Sequence, residues 1–214
     1  DALPILIGSA VGYAMDGFDL LILGFMLSAI SADLNLTPAQ SGSLVTWTLI
    51  GAVVGGIVFG ALSDRYGRVR VLTWTIVLFA VFTGLCAIAQ GYWDLLIYRT
   101  IAGIGLGGEF GIGMALAIEA WPAKHRAKAA SYVALGWQVG VLAAALLTPV
   151  LLPHIGWRGM FVVGIFPAFV AWYLRTRLHE PEIFSRKQSA LFTQKTSKLE
   201  SFKLLVKDKA TTKV

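Results

Sequence analysis

Six long runs of apolar residues, separated by short polar segments, dominate the sequence. A helix that crosses a bilayer needs roughly 20 mostly apolar residues, and each run is too long for a strand of a soluble protein. The pattern therefore predicts an all-α membrane protein with six transmembrane helices packed as one bundle. The predicted spans cover about residues 3–30, 41–62, 71–90, 94–119, 129–152 and 158–176. The polar segments between them read SADLNLTPAQ, SDRYGRVR, QGYWD, WPAKHRAK and PHIGWRG.

The composition agrees with a chain whose solvent is lipid. Of the 214 residues, 57% are hydrophobic and only 14% are charged, whereas about a quarter of the residues of soluble domains are charged. Cytoplasmic loops retain Lys and Arg, and most basic residues here follow the second, fourth and sixth runs. We therefore expect a multi-pass protein of the plasma (inner) membrane with both termini cytoplasmic. This asymmetry accounts for the net charge of +6 without a nucleic-acid partner, although the basic tail could contact membrane lipid.

The composition also divides the chain into two parts. Residues 1–178 form the membrane unit, and residues 179–214 are polar and rich in lysine. We expect this second part to be a basic cytoplasmic segment, either a disordered linker or a short amphipathic helix. The first run is too long for a signal peptide and lacks a basic leader and a cleavage site. Because Asp1 leads almost directly into that run, we expect the chain to be a fragment of a longer protein.

Few residues suit catalysis, metal binding or disulfide formation. Cys86 is the single cysteine, so no intramolecular disulfide can form, and the three histidines fall in separate loops. The sequence contains no nucleotide-binding loop, no nucleophile elbow and no His or Ser–Lys pair within an apolar run. We therefore predict that the chain is not an enzyme and uses no metal or cofactor.

Three acidic residues lie inside the apolar runs. Asp16 and Asp19, near the middle of the first run, share one face of a helix, and Glu109 lies near the middle of the fourth run. A charge at that depth costs on the order of 3 kcal/mol, so these carboxyls should face the bundle interior, a watery cavity or a partner. There they are candidates for proton exchange, although Asp16 or Asp19 singly could be a structural hydrogen-bonding group. Arg99 either snorkels to the interface or meets a carboxylate.

Two polar motifs lie at the ends of spans. The segment GALSDRYGRVRVL, residues 60–72, fits the pattern G-x-L-x-D-R-x-G-R-x-x-x-L, and EAWPAKHR, residues 119–126, fits E-x-x-P-x-x-x-R. Both resemble loop signatures of the major facilitator superfamily, although Val69 stands where that family often has Lys. The resemblance implies a charge cluster that closes a cytoplasmic gate, whereas independent surface charges would contribute only roughly 0–1 kcal/mol each. The gate residues would be Asp64, Arg65, Arg68, Glu119 and Arg126.

The fourth run carries several glycines. Gly103, Gly105 and Gly107 lie in RTIAGIGLGGEFGIG, residues 99–113, which resembles the fourth-helix pattern R-x-x-x-G-x-G-x-G of the same superfamily. The proline usual later in that pattern is absent, and Glu109 and Phe110 occupy that region. Glycines four residues apart allow helix backbones to approach closely in lipid, although glycine is also simply commoner in membrane helices. We expect the three glycines to support tight helix packing.

Further strings narrow the resemblance to a subfamily. DGFDLLILGF, LTPAQSGSL, GGEFG, IEAWPAKHRAKAA and GWRGMFVVGIFPA are similar to bacterial sialic acid permeases and related proton symporters of acidic metabolites. The first string is also similar to aromatic acid:proton symporters. The resemblance implies a twelve-helix transporter of which this chain is the N-terminal half, built as two inverted three-helix repeats. The missing C-terminal half would then be its partner.

The resemblance implies a secondary active transporter that moves an organic anion with protons by alternating access. The substrate would be a monocarboxylate, such as a sugar acid like sialic acid, or an aromatic acid. Two alternatives stay open at this point: a transporter of the same superfamily for a neutral sugar or other solute, and a six-span carrier that works as a homodimer. For the proton-coupled transporter of an organic anion, the proton and substrate cavity would be lined by Asp16, Asp19, Arg99 and Glu109.

Overall fold

The computed structural model describes residues 2–176, and these residues form five long helices. Within this part of the chain, all five are long and apolar enough to cross a membrane. The prediction of an all-helical, multi-pass membrane protein is confirmed. The basic segment predicted for residues 179–214 lies outside the described residues. The helices are α1 Ala2–Leu34, α2 Pro38–Tyr66, α3 Arg68–Cys86, α4 Tyr92–Glu119 and α5 Arg126–Thr176, with a 3₁₀ turn at Ala123–His125 before α5.

The helix α5 is broken at Gly156, where φ is 67° and ψ is 177°. Glycine adopts this positive φ readily, whereas a residue with a Cβ would be strained. At a rise of 1.5 Å per residue, the arms 126–155 and 157–176 are roughly 45 and 30 Å long, and each is long enough to cross the hydrocarbon core. The arms therefore correspond to the fifth and sixth predicted spans. The polar loop expected at residues 153–159 is instead a break at one residue.

Local sequence signals fix both ends of α2. At its start, the Thr37 hydroxyl accepts a hydrogen bond from the Gln40 backbone N–H at 3.3 Å, and the Gln40 side chain accepts one from the Thr37 N–H at 2.9 Å. This capping box satisfies backbone donors that the helix cannot pair. At its end, Gly67 adopts a φ of 102° and alone joins α2 to α3. The tight turn expected from the motif at residues 60–72 therefore forms at that glycine.

Glycines on α4 bring three helix backbones together. A Cβ at Gly103 would collide with the Thr48 carbonyl oxygen of α2, and one at Gly107 would collide with the Ala52 carbonyl oxygen of the same helix. On another side of α4, a Cβ at Gly105 would lie 2.8 Å from backbone atoms of α3. Side chains at these positions would force the helices apart. The helix α4 is therefore held between α2 and α3 by direct backbone contact.

The helices α1 and α5 pack in the same way. A Cβ at Gly136 would collide with the Ala10 carbonyl oxygen, and one at Gly140 with the Ala14 carbonyl oxygen. The first arm of α5 therefore lies directly against α1. Together with the contacts of α4, this arrangement fixes the register of the helices that carry the buried polar residues.

Short connections make α1 to α4 alternate in direction, so the bundle has two ends. The Arg68 end contains the α2–α3 turn and the end of α4, and the Asp33 end contains the end of α1, the α3–α4 connection and the break in α5. Between them, large apolar side chains remain exposed on the outer surface, for example Val53 (65%), Ile57 (70%) and Leu146 (63%). Exposure of this kind suits a surface covered by lipid or by another part of the protein.

Candidate functional site

A buried ion pair joins α1 to α4. The Arg99 guanidinium donates from Nη1 to Asp19 Oδ1 at 3.1 Å and from Nη2 to Asp19 Oδ2 at 2.8 Å. Both residues are 0% exposed. Two parallel hydrogen bonds between a guanidinium and a carboxylate are among the strongest polar contacts in proteins. Of the two alternatives for Arg99, the structure therefore shows the one in which it meets a carboxylate inside the bundle.

Two other helices approach the Arg99 side chain. The guanidinium carbon lies over the Phe161 ring of α5, 5.7 Å from its centroid. The Cys86 thiol of α3 is close enough to interact with the same guanidinium, and it donates to the Phe82 carbonyl oxygen. The pair is therefore enclosed by residues of α1, α3, α4 and α5, with no exposed face in the described part of the chain.

The other two predicted carboxyls, Asp16 and Glu109, are also 0% exposed. Near them the Tyr13 hydroxyl donates to the Phe110 carbonyl oxygen at 2.8 Å, and the two rings stack with centroids 4.6 Å apart. Asp16 lies about one helical turn after Tyr13 on α1, and Glu109 lies next to Phe110 on α4, so both buried carboxyls are at the level of this contact along their helices. The structure thus places all three acidic side chains inside the bundle, away from hydrocarbon.

At the Arg68 end, one arginine bridges three helices. Arg68, the first residue of α3, places Nη2 3.0 Å from Glu119 Oε1 of α4 and 3.5 Å from Asp64 Oδ1 of α2. The Asp64 side chain is 74% exposed, whereas those of Arg68 and Glu119 are mostly covered. The contact to Glu119 is therefore the stronger tie, because water screens exposed pairs.

The remaining two residues of the predicted gate make other contacts. The Arg65 guanidinium lies over the Tyr66 ring, 5.5 Å from its centroid, and Arg126 Nε donates to the Trp121 carbonyl oxygen at 3.3 Å. Among the described residues, no ion pair joins either arginine to Asp64 or Glu119. The structure thus groups three of the five predicted gate residues and leaves two beside them.

The Asp33 end carries a polar cluster that the sequence did not suggest. The Asp33 carboxylate accepts hydrogen bonds from the Arg158 guanidinium and, at 3.1 Å, from Trp157 Nε1. Arg158 also donates to the Ala89 carbonyl oxygen at 3.1 Å and stacks on the Trp157 ring at 4.1 Å. The cluster ties the end of α1 to the α3–α4 connection and to the second arm of α5. In the sequence, Trp157 and Arg158 lie in the string GWRGMFVVGIFPA, but nothing there connects them to Asp33.

The comparisons with known proteins agree on one family. The model of the Major Facilitator Superfamily matches residues 9–212. A protein of Haemophilus influenzae named "Putative metabolite transport protein" is 87% identical over 98% of this chain and 52% of its own length. Sialic acid transporter NanX of Escherichia coli is 34% identical over 80% of this chain and 42% of its own length. The cis,cis-muconate transport protein of Acinetobacter baylyi is 34% identical over 91% of this chain and 48% of its own length.

A solved structure shows the same fold. The xylose transporter XylE of Escherichia coli, in a partially occluded inward-open conformation, superposes with a TM-score of 0.77 at 23% identity, over 87% of this chain and 50% of that one. The chain thus spans about half the length of the curated relatives and of the structure it matches. The resemblance to sialic acid transporters found in the sequence motifs is confirmed.

Proposed function

Since this chain belongs to the Major Facilitator Superfamily, we propose that it is the N-terminal half of a secondary transporter that carries an organic anion together with protons. The other half would complete the substrate cavity. We further propose that the transporter works in the plasma (inner) membrane with both termini in the cytoplasm. The family and the transporter names of its relatives support the prediction that the chain is not an enzyme.

The buried pair of Asp19 and Arg99 carries the proposal. In a fully buried site, loss of one charge of such a pair leaves the other uncompensated, at a cost of about 3–5 kcal/mol. A proton that reaches Asp19 removes its negative charge, whereas Arg99 keeps its positive charge because arginine is not deprotonated in proteins. Protonation thus creates an unmatched cation, and a substrate anion is the group that restores the balance. This arrangement couples entry of a proton to entry of an anion.

Asp16 and Glu109 are further candidates for the proton, since both are fully buried. We propose Asp19 because protonation of its carboxylate would weaken the two hydrogen bonds that it accepts from Arg99. A proton on Asp19 therefore changes the attraction between α1 and α4 directly. Asp16 and Glu109 would then tune the electrostatic field of the cavity.

The Arg68 cluster would act as the cytoplasmic gate. Its contacts to Asp64 and Glu119 tie α2, α3 and α4 together at one end of the bundle. Partly exposed ion pairs contribute only about 0.2–1 kcal/mol each. Contacts of that strength are suited to a gate that closes in one state and opens in another, because a modest change in the other half of the transporter could break them.

The names of the relatives support the substrate class. Sialic acid and cis,cis-muconate, which two of them are named for, are both organic acids and are anions at neutral pH. The carbon skeletons of these two acids differ, whereas both carry a carboxylate. A site that supplies a buried cation fits this shared group. We therefore propose an organic anion as the substrate and leave its skeleton to be identified by transport.

Uptake by the full-length transporter in proteoliposomes tests the proposal. Radiolabelled sialic acid and cis,cis-muconate would be offered with an inward proton gradient, and xylose would serve as a neutral comparison. We expect accumulation of at least one acid, with proton entry detected by an internal pH dye, and none of xylose. Accumulation of xylose with neither acid transported would contradict the anion proposal.

Variants then locate the proton site. We expect Asp19→Asn to abolish uphill accumulation but to retain exchange of labelled for unlabelled substrate, because exchange does not require net proton movement. Asp16→Asn and Glu109→Gln change equally buried carboxyls, and loss of uphill accumulation in one of them instead would assign the proton to that residue. If Asp19→Asn concentrated substrate as well as the unmodified protein does, the ion pair could not be the coupling element.

A further inference from the structure

We propose that Phe161 is a positioning residue for proton coupling. Its ring stabilises and positions the Arg99 guanidinium while Asp19 is protonated. This inference rests on the proposed function, since it assigns a role to the group that faces the coupling pair from α5. It concerns a residue that no sequence motif singled out.

Besides Asp19, the Phe161 ring is a second group that stabilises the Arg99 guanidinium. Asp19 engages Nη1 and Nη2 of the guanidinium, whereas Nε has no hydrogen-bond partner among the described residues. The titratable groups that face Arg99 from neighbouring helices are Asp19 on α1 and Cys86 on α3. The Phe161 ring lies 5.7 Å from the guanidinium carbon, within the roughly 6 Å over which a ring face attracts a cation.

The Phe161 ring is itself held from the Asp33 end of the bundle. Phe161 is fully buried, and the Trp157 ring, one helical turn earlier, meets it edge to face with centroids 6.0 Å apart. Trp157 is fixed in turn by its hydrogen bond to Asp33 and by the Arg158 guanidinium, which stacks on its ring. A continuous set of contacts thus runs from the surface cluster to the buried ion pair, and the ring cannot turn without disturbing it.

An aromatic ring can attract the Arg99 cation, whereas an aliphatic side chain of similar volume cannot. Leucine would fill the space and preserve apolar packing, but only the ring presents negative potential to a cation. While Asp19 is ionised, the carboxylate supplies most of the attraction that Arg99 feels. Once Asp19 is protonated, its hold on the guanidinium weakens, so the guanidinium can settle closer to the ring and the contact with the ring becomes stronger. Removing the ring should therefore disfavour the protonated state of Asp19 more than the ionised one.

Infrared titration of the purified full-length transporter tests this without knowledge of the substrate. The carbonyl stretch of a protonated carboxyl would be followed against pH, and the part of the signal lost in Asp19→Asn would identify Asp19. We expect Phe161→Leu to shift the midpoint of that signal toward acid by less than about one pH unit, because only the difference in the cation–π contact between the two protonation states contributes. Phe161→Tyr, which keeps the ring, should titrate like the unmodified protein.

Two further variants separate this role from packing. Phe79→Leu removes a fully buried phenylalanine in a different apolar cluster and should leave the midpoint unchanged. Trifluorophenylalanine incorporated at position 161 keeps the ring volume but removes its negative potential, so it should shift the midpoint as Phe161→Leu does, even where leucine impairs folding. An unchanged midpoint with the fluorinated ring would overturn the inference about Phe161. Absence of any signal lost in Asp19→Asn would instead refute the proposed proton site.

Discussion

Replacement of Gly107 with alanine tests whether backbone contact between α2 and α4 stabilises the bundle. The new Cβ would collide with the Ala52 carbonyl oxygen and would lie 2.6 Å from the Ala52 Cα. A backbone cannot rotate away as a side chain can. The helices must therefore move apart by about 1 Å to restore ordinary contact, which is an overpacking change.

The expected loss follows from two opposing effects. Overpacking a tight contact costs about 1–3 kcal/mol, and here the separation would also loosen the neighbouring contact between Gly103 and Thr48. Alanine is a better helix former than glycine by up to about 1 kcal/mol. The matched control is Gly111→Ala, one turn further along α4, where a Cβ meets nothing within 4 Å. Gly111→Ala should be neutral or stabilising. Because the gain in helix propensity is common to both variants, they should differ by the overpacking cost alone, about 1–3 kcal/mol.

Unfolding of the purified full-length transporter in detergent measures this difference. Increasing amounts of SDS would be added to protein in mild micelles, and loss of structure would be followed by tryptophan fluorescence. Gly107→Ala should unfold at a lower SDS fraction than the unmodified protein, and Gly111→Ala should not. If both glycine variants unfolded together, the close approach of α2 and α4 would contribute nothing measurable, and the explanation of the glycines given above would be refuted.

Two further predictions concern other contacts. Glu119→Gln should weaken the Arg68 cluster and speed alkylation of a cysteine introduced at the buried Ser63 by up to about fivefold, which matches the strength of a partly exposed ion pair; an unchanged rate would argue against a gate at this end. The buried Thr83 hydroxyl has no hydrogen-bond partner in the described part of the chain. Thr83→Val should therefore leave the free energy of unfolding in SDS unchanged or raise it by up to about 1 kcal/mol. Thr48→Val removes a hydroxyl that donates a 2.7 Å bond, so it should be destabilising by comparison.

The apolar runs located the helices because hydrocarbon imposes both composition and length on a span. The same signal could not define the backbone at the ends of the spans. The helix α1 continues through the polar residues that follow its apolar run and ends at Leu34. In α5, the polar residues 153–159 stay helical except at Gly156. Polar side chains report where the chain leaves hydrocarbon, which does not require that the helix stop there.

The burial of Asp16, Asp19 and Glu109 was predictable from the cost of charge in lipid, whereas the choice of partner was not. Asp19 and Arg99 are 80 residues apart, and their pairing depends on the register of α1 against α4. That register is set by contacts distributed over several helices. Phe161 lies in the string GWRGMFVVGIFPA, but nothing in that string distinguishes it as a partner of a cation from the other phenylalanines, of which the chain has 12 in all. Its relation to a cation exists only after the helices have packed.

The polar clusters of Arg68, Arg158 and Arg99 differ in the free energy needed to break them. This difference affects the order of events in a transport cycle. The contacts of Arg68 and Arg158 involve partly exposed side chains, so water can replace a lost partner and each pair holds its helices only weakly. The Asp19–Arg99 pair is fully buried, so its separation without a proton would leave two buried charges. Under the proposed function, protonation of Asp19 is then the event that must come before α1 and α4 can shift, and the contacts at the two ends would rearrange in response.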